Sequence, residues 1–142
     1  MTHRYIGTKE ITAWPAEKDG QPGYGVKYAD GYTSWSPKDA FEEAYRTSEP
    51  GMAQALTFGD ALHYLKLGKK VARSGWNGKG MFLFLVPGST FNVNRPPLLG
   101  IYPEGTEVNY HAHIDMKTAD GQIVPWLCSQ TDALANDWTV LA

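Results

Sequence analysis

Residues 74–80 combine glycines, an aromatic ring and a lysine in one short stretch, which suits the binding of an anion beside a flat ring. Its three glycines let backbone N–H groups approach an anion closely, and Lys79 supplies a positive charge. Trp76 and Asn77 lie between them, where a turn would present them to a ligand. The spacing is not that of a P-loop, because no Ser or Thr follows the lysine. A plain hairpin whose tryptophan folds back onto the core remains the alternative.

A second tryptophan, Trp126, precedes four polar residues, and these are Ser129, Gln130, Thr131 and Asp132. Ser129 and Asp132 can serve as a helix cap and its first-turn acid, which leaves the other two without a structural role. Amide and hydroxyl groups beside an aromatic ring can read the edge of a nucleobase. The pattern therefore favours a second half of the same ligand site, with capping alone as the alternative.

A long stretch rich in Asn, Pro and Gly, residues 91–102, is predicted to be a loop. Phe91, Asn92 and Arg95 are its candidate ligand contacts. An arginine suits bidentate contacts to phosphate, and two prolines after it would stiffen the loop. A lone surface arginine is the simpler interpretation, and the sequence leaves both open.

Residues 107–116 are predicted to form one strand, on which Asn109, His111, His113 and Asp115 would share a face. Two histidines and an aspartate are the donor set of some transition-metal sites, but no neighbouring Glu or Cys completes a familiar spacing. We therefore predict no metal and no cofactor. A ligand-contacting polar face, with Asn109 and His113 as contacts, and purely structural hydrogen bonding are the remaining alternatives.

The charge distribution supports an anionic ligand. No acidic residue lies between Asp60 and Glu104, whereas that stretch has five lysines and arginines before Arg95. A local positive segment in a chain of net charge -2 fits a small anion, not a long nucleic acid, which needs a more generally basic surface. A solvated lysine face is the alternative. There is no Gly-x-Ser-x-Gly elbow or metalloprotease helix, so an enzyme is not predicted.

The elements that must position these residues read as α+β in two modules, residues 1–50 and 51–142. The first is predicted to be a small β-rich module, with a strand over residues 4–13, a hairpin turning at Asp30-Gly31 and a short helix. The second is predicted to be a small antiparallel sheet with one main helix, capped by Thr57 and Asp60. Its predicted turns are Asn77-Gly78 and Asp120-Gly121, and residues 81–86 read as a strand buried on both faces.

Location and assembly follow from weaker signals. There is no apolar stretch of membrane-spanning length, no secretory signal, and a single cysteine, Cys128, so we expect a cytoplasmic protein. The strand-rich second module would bury a modest core and leave sheet edges open. We therefore expect a homo-oligomer.

Taken together, the motifs resemble the phage-encoded Thoeris anti-defense two family over about residues 57–141. The stretches that carry the resemblance are residues 75–81, 86–91, 95–98, 101–105, 113–116 and 124–132. The resemblance implies a homotetramer that sequesters the cyclic ADP-ribose isomer made by bacterial Thoeris proteins, without cleaving it, in the infected host cell. For some members it also implies binding of cyclic oligonucleotides at a separate site. The stacking tryptophans of the family fall on Trp76 and Trp126, followed by the polar positions 129–132.

Alternatives to this function, in which the protein acts as a sponge that binds the signal without cleaving it, stay open. A metal-dependent nucleotide hydrolase would use His111, His113 and Asp115. A phage protein-interaction adaptor would use Trp76 and Trp126 as protein contacts.

Overall fold

The computed structural model describes all 142 residues, and the chain divides into two compact units. The N-terminal unit spans Met1–Thr47 and the C-terminal unit spans Ser48–Ala142. Both mix short helices with antiparallel strands, so the predicted α+β class is confirmed. The longest helix has nine residues, and none of the helices meets the length and hydropathy that a membrane-spanning helix requires.

The N-terminal unit is a three-stranded antiparallel sheet in the order β1-β2-β3, followed by one short helix. Its elements are β1 (Thr12–Pro15), β2 (Gly23–Lys27), β3 (Thr33–Pro37) and α1 (Lys38–Ala44). The predicted hairpin is confirmed. The Asp30 side chain accepts the backbone N–H of Tyr32 at 2.9 Å, and Gly31 takes the positive φ that the turn requires.

The strand predicted over residues 4–13 is wrong for most of its length, since β1 begins at Thr12. The register explains why. Thr12 pairs with Lys27, where β2 ends, so residues before Thr12 have no strand to pair with.

A five-stranded antiparallel sheet in the order β10-β4-β5-β8-β9 forms the centre of the C-terminal unit. Its strands are β4 (Val71–Arg73), β5 (Phe82–Val86), β8 (His113–Lys117), β9 (Ile123–Pro125) and β10 (Trp138–Val140). The main helix, α2 (Phe58–Lys66), packs against β4, β5 and β10, and a short helix, α3 (Gln130–Ala133), precedes β10. A separate pair, β6 (Ser89–Asn92) and β7 (Glu107–Tyr110), forms with its connecting loop what we call the arm, residues 89–110.

The capping predicted for the main helix is confirmed in detail. Thr57 Oγ1 accepts the backbone N–H of Asp60 at 3.1 Å, and Asp60 Oδ2 accepts that of Thr57 at 2.9 Å. Each bond satisfies an N–H that a helix start leaves unpaired. Gly68 follows the helix end with φ +84°, the left-handed conformation that favours glycine there. Leu65 of α2 is then buried with Leu83 and Trp138 in one core.

Three other predictions for this unit are wrong. The strand over residues 107–116 is two strands, β7 and β8, because its first half pairs with β6 and its second half with β5. For the same reason Phe91 and Asn92 lie on a strand rather than in a loop. The β4–β5 connection is a loop of eight residues, 74–81, in which Gly80, not Asn77 or Gly78, has positive φ.

The fifth strand is buried on one face only, which corrects the expectation for residues 81–86. Leu83 is fully buried, whereas Phe82 and Phe84 on the opposite face are half-buried. We call that face, where Phe84 pairs with Asp115 and Phe82 with Lys117, the outer face. No helix of the C-terminal unit packs on it within one chain, which is why its aromatic rings stay partly exposed.

Candidate functional site

Both tryptophans singled out in the sequence lie against a third one that the sequence analysis did not assign to the site. Trp76, in the loop after β4, meets Trp138 edge-on with ring centroids 5.4 Å apart. Trp126, directly after β9, meets the same ring at 6.3 Å and 86°. Trp138 is completely buried, whereas the other two are half-buried. We call these three rings the tryptophan cluster.

The carboxylate of Asp132 fixes one ring of the cluster. Its Oδ1 accepts the indole N–H of Trp76 at 3.0 Å and the Nη1 of Arg73 at 2.7 Å. Its backbone carbonyl accepts the indole N–H of Trp138 at 3.0 Å. Burial would raise the pKa of the Asp132 carboxyl, but the bonds from Arg73 and Trp76 outweigh that and hold the pKa below its ordinary value. Asp132 is thus an ionised structural anchor.

Arg73 links this anchor to a second carboxylate. Its Nε donates to Asp137 Oδ1 at 2.8 Å and its Nη2 to Asp137 Oδ2 at 3.3 Å. Hydrogen bonds from Arg73 lower the pKa of the Asp137 carboxyl, and the two carboxylates raise the pKa of the guanidinium. The charge of Arg73 is therefore matched inside the protein. It does not add to the positive charge that the segment offers a ligand.

The same carboxylate also holds the glycine-rich loop. Asp137 Oδ2 accepts the backbone N–H of Gly75 at 2.9 Å, and its backbone carbonyl accepts that of Ser74 at 3.1 Å. A Cβ at position 75 would collide with that carboxylate, so any larger residue would displace Asp137. The loop that carries Trp76 is thus tied down at its start by hydrogen bonds from outside the loop.

Polar side chains beside the cluster fall into two kinds. Ser129 caps α3, since its Oγ accepts the backbone N–H of Asp132 at 3.0 Å. Gln130 and Thr131, in the first turn of α3, are exposed and have no side-chain hydrogen bond. Asn77 likewise is exposed with its amide unpaired. Unpaired donors and acceptors beside half-buried rings are what a polar, ring-containing ligand requires.

Sequence comparison places these residues in a known family. Residues 56–141 match the Thoeris anti-defense 2-like domain. A relative from Bacillus phage SP01, named Thoeris anti-defense 2, is 43% identical over 91 residues, which is 64% of this chain and 100% of the relative.

The chain belongs to the Thoeris anti-defense 2-like family.

The family match covers almost the whole C-terminal unit, including the tryptophan cluster and α3, and leaves the N-terminal unit outside it. The resemblance drawn from the sequence motifs is confirmed. It follows that the cluster lies within the Thoeris anti-defense 2-like domain and not in the added unit.

Within one chain the domain does not bring all the predicted site residues together. Phe91 and Asn92 lie on β6, where Phe91 meets Tyr110 edge-on at 5.2 Å. Asn109 lies opposite on β7 and accepts a hydrogen bond from Thr90 at 2.5 Å. Arg95 is exposed in the loop of the arm. No hydrogen bond, ion pair or ring contact joins the arm to the tryptophan cluster.

His113 lies in a third place, at the start of β8 on the outer face. Its Nδ1 is 3.1 Å from the carbonyl of His111, and its Nε2 is 3.5 Å from Asp115 Oδ2. Asn109 and His111 do not share this strand, so the predicted four-residue face does not form. No group of three or more His, Cys, Asp or Glu side chains is placed to hold a metal ion. Lys79 is exposed in the loop after Trp76 and makes no hydrogen bond or ion pair.

Arg73, Asp137 and Trp138 were missed as parts of the site. The hydrogen bonds of Arg73 join residues 59 and 64 positions apart, which no local pattern reveals. The one available signal was that the predicted strand before residue 74 ends on an arginine.

Cys128, near the start of α3, does not have the properties of a nucleophile. Burial raises the pKa of its thiol, the opposite of what an activated nucleophile requires.

Proposed function

We propose that this chain is a phage anti-defense protein that sequesters a cyclic nucleotide immune signal, a cyclic ADP-ribose isomer, without cleaving it. The observation that carries the proposal is the tryptophan cluster: Trp76 and Trp126 are half-buried, and both meet the fully buried Trp138. The name of the phage relative, Thoeris anti-defense 2, supports the biological role. The protein would act in the cytoplasm of the infected host.

The energetics of such a sponge favour a rigid site. Nanomolar binding needs about 12 kcal/mol. Stacking contributes about 1–3 kcal/mol per base, and each hydrogen bond to a charged group about 1.5–3 kcal/mol. These sums suffice only if little ordering is left to do on binding. The bonds that Asp132 makes to Trp76 and Arg73 provide that order before the ligand arrives.

The polar contacts of the ligand would come from side chains that make no hydrogen bond within the fold. The side chains with unpaired donors and acceptors are Gln130, Thr131 and Asn77. Lys79, directly after Gly78 in the same loop as Asn77, is an exposed cation. Ser129 and Asp132, by contrast, would support the site and not read the ligand. No general base is needed for this function, and a sponge gains from lacking one.

Self-association would complete the site. The arm residues Phe91, Asn92, Arg95 and Asn109 make no direct contact with the cluster within one chain, and a second copy could supply them to the same ligand. The outer face, with its half-buried Phe82 and Phe84, supports assembly because no helix of the unit covers it. We propose a homotetramer. Light scattering behind gel filtration should give about four times 15.7 kDa.

The decisive experiment is recovery of the ligand. The protein is mixed with the cyclic ADP-ribose isomer, freed of unbound ligand and denatured by heat, and the released nucleotide is identified by mass spectrometry. Intact cyclic ligand in stoichiometric amount is expected, and Trp76→Ala serves as the control that should release little. A linear product would instead support the hydrolase alternative. Absence of any binding heat with this ligand and with cyclic oligonucleotides would support the protein-interaction adaptor.

A further inference from the structure

The N-terminal unit presents a second pair of tryptophans, on a sheet face that the family match does not cover. In the register of the sheet, Gly25 of β2 pairs with Trp14 on one side and with Trp35 on the other. Residues paired across antiparallel strands project to the same face. Both indoles therefore rise from one face of the sheet, one on each side of a glycine.

Each indole lies over the backbone of β2, which has glycines at the two positions beneath the rings. A Cβ at Gly25 would collide with the ring of Trp14, and a Cβ at Gly23 with the ring of Trp35. The Trp35 ring is further fixed by its N–H, which donates to the carbonyl of Ala16 at 2.8 Å. Neither indole packs against another aromatic ring, and Trp14 stays 43% exposed. The face thus provides two fixed aromatic platforms.

Positive charge and hydroxyl groups lie beside these platforms. Lys27 lies two residues after Gly25 on β2 and therefore projects to the same face. It pairs with Thr12 on one side and with Thr33 on the other. Lys18 adds a second cation, with its Nζ 5.7 Å from the centre of the Trp35 ring.

No strand residue on this face is acidic. The acidic residues of α1 belong to the opposite side of the sheet, where Tyr24 stacks on Phe41 of that helix at 4.2 Å and donates to Glu42 at 2.6 Å. Among the strand side chains of this face there is thus a lysine and no carboxylate.

We propose that this tryptophan face is a nucleotide-binding site, with the base stacked on Trp14 or Trp35 and the phosphate held by Lys27. The ligand must combine a flat ring with an anion, because the face combines bare indoles with lysines and hydroxyls. A sugar without phosphate would lack the carboxylate and amide partners that its hydroxyls need. A cationic peptide would meet lysines where it needs carboxylates. The site is separate from the tryptophan cluster and does not rest on the function proposed for it.

The test uses the full chain labelled with 5-fluorotryptophan, which gives one ¹⁹F signal for each of its five tryptophans. Single Trp→Phe variants assign the signals. Adenosine 5′-monophosphate is titrated in, and we expect saturable shifts of the Trp14 and Trp35 signals. Adenosine should need at least about fivefold more ligand for the same shift, and inorganic phosphate alone should leave both indole signals in place. The Trp76 and Trp126 signals report on the other site in the same spectrum, so the two proposals can fail separately.

Variants of single lysines test the phosphate contact. Lys27→Ala should weaken the response of the Trp14 signal at least about fivefold, and Lys27→Arg should retain it. Lys9→Ala is the matched control, because Lys9 is a lysine of the same unit whose Nζ lies over the Tyr28 ring, 4.4 Å from its centre. It should change the affinity less than twofold. A proline-rich peptide is titrated in parallel as a competing kind of ligand. The proposal is overturned if the Trp14 and Trp35 signals do not move at millimolar nucleotide, or if adenosine acts as strongly as its monophosphate. It is also overturned if the peptide moves these signals and the nucleotide does not.

Discussion

The indole N–H of Trp76 and the carboxylate of Asp132 lie 3.0 Å apart, although 56 residues separate them in the chain. The same oxygen accepts a hydrogen bond from Nη1 of the Arg73 guanidinium at 2.7 Å. One carboxylate therefore couples a half-exposed ring of the candidate site to an ion pair of the fold. Changes to this carboxylate should affect both the stability of the domain and the position of the ring.

Asp132→Asn should lower the free energy of unfolding by about 1–3 kcal/mol, because the change removes a partly buried charged acceptor of two hydrogen bonds. Urea unfolding followed by circular dichroism measures it. Glu104→Gln, which removes an exposed carboxylate in the loop of the arm, is the matched control and should be neutral within about 0.5 kcal/mol. Equal midpoints for the two variants would show that the anchor contributes nothing.

Acid should weaken the fold through the same pair of carboxylates. The folded-state pKa values of Asp132 and Asp137 lie below the ordinary value, which is about 3.9 in an unfolded chain. Near that pH the unfolded state binds more protons, so this stabilisation is complete at neutral pH and is lost as pH falls through the folded pKa values. In urea titrations from about pH 7 to pH 3, the double variant Asp132→Asn, Asp137→Asn should lose less stability than the parent chain. Parallel losses would contradict this assignment.

Trp138→Phe should weaken ligand binding although Trp138 is completely buried and out of reach of a ligand. The smaller ring removes the hydrogen bond to the carbonyl of Asp132 and the edge contact of both site tryptophans. We expect a stability loss of about 1–3 kcal/mol together with at least a threefold rise in Kd for the cyclic nucleotide. Calorimetry on protein shown by circular dichroism to be folded separates the two effects, and unchanged affinity in a destabilised variant would contradict the role of Trp138.

Trp76→Ala should cause at least a tenfold loss of affinity if the stacking contribution holds, together with a loss of stability because the ring packs against Trp138 and donates to Asp132. Gln130→Ala and Thr131→Ala should weaken binding less, and neither should lower the unfolding midpoint, because both side chains are exposed and unpaired. Isothermal titration of each variant with the cyclic ADP-ribose isomer gives the comparison. Leu134→Ala, an exposed apolar residue just after α3, is the control that should bind like the parent chain.

Features governed by neighbours in sequence were predictable. The capping box of Thr57 and Asp60 and the cap formed by Ser129 were confirmed, since each depends on bonds within a few residues. The α+β class and the family followed from patterning and motifs in the same way.

Features governed by distant pairing were not predictable. Residues 107–116 alternate like one strand, yet they divide between two partners, and only β5 and β6 determine where the division falls. The Arg73 ion pairs and the contact of Trp138 with Trp76 also join parts of the chain that no local pattern connects. The sequence therefore singles out Trp76 and Trp126 as candidates, but it does not reveal that both pack against Trp138.

The central position of Trp138 has a consequence for how such proteins can diversify. Replacing either outer indole disturbs packing that the whole domain depends on, so those positions have little evolutionary freedom. The exposed side chains of Gln130, Thr131 and Asn77 take no part in that packing. They can be exchanged without loss of stability. Under the proposed function, hosts that alter their signalling molecule would select new side chains on the first turn of α3 and in the adjoining loop, while the aromatic framework beneath them persists.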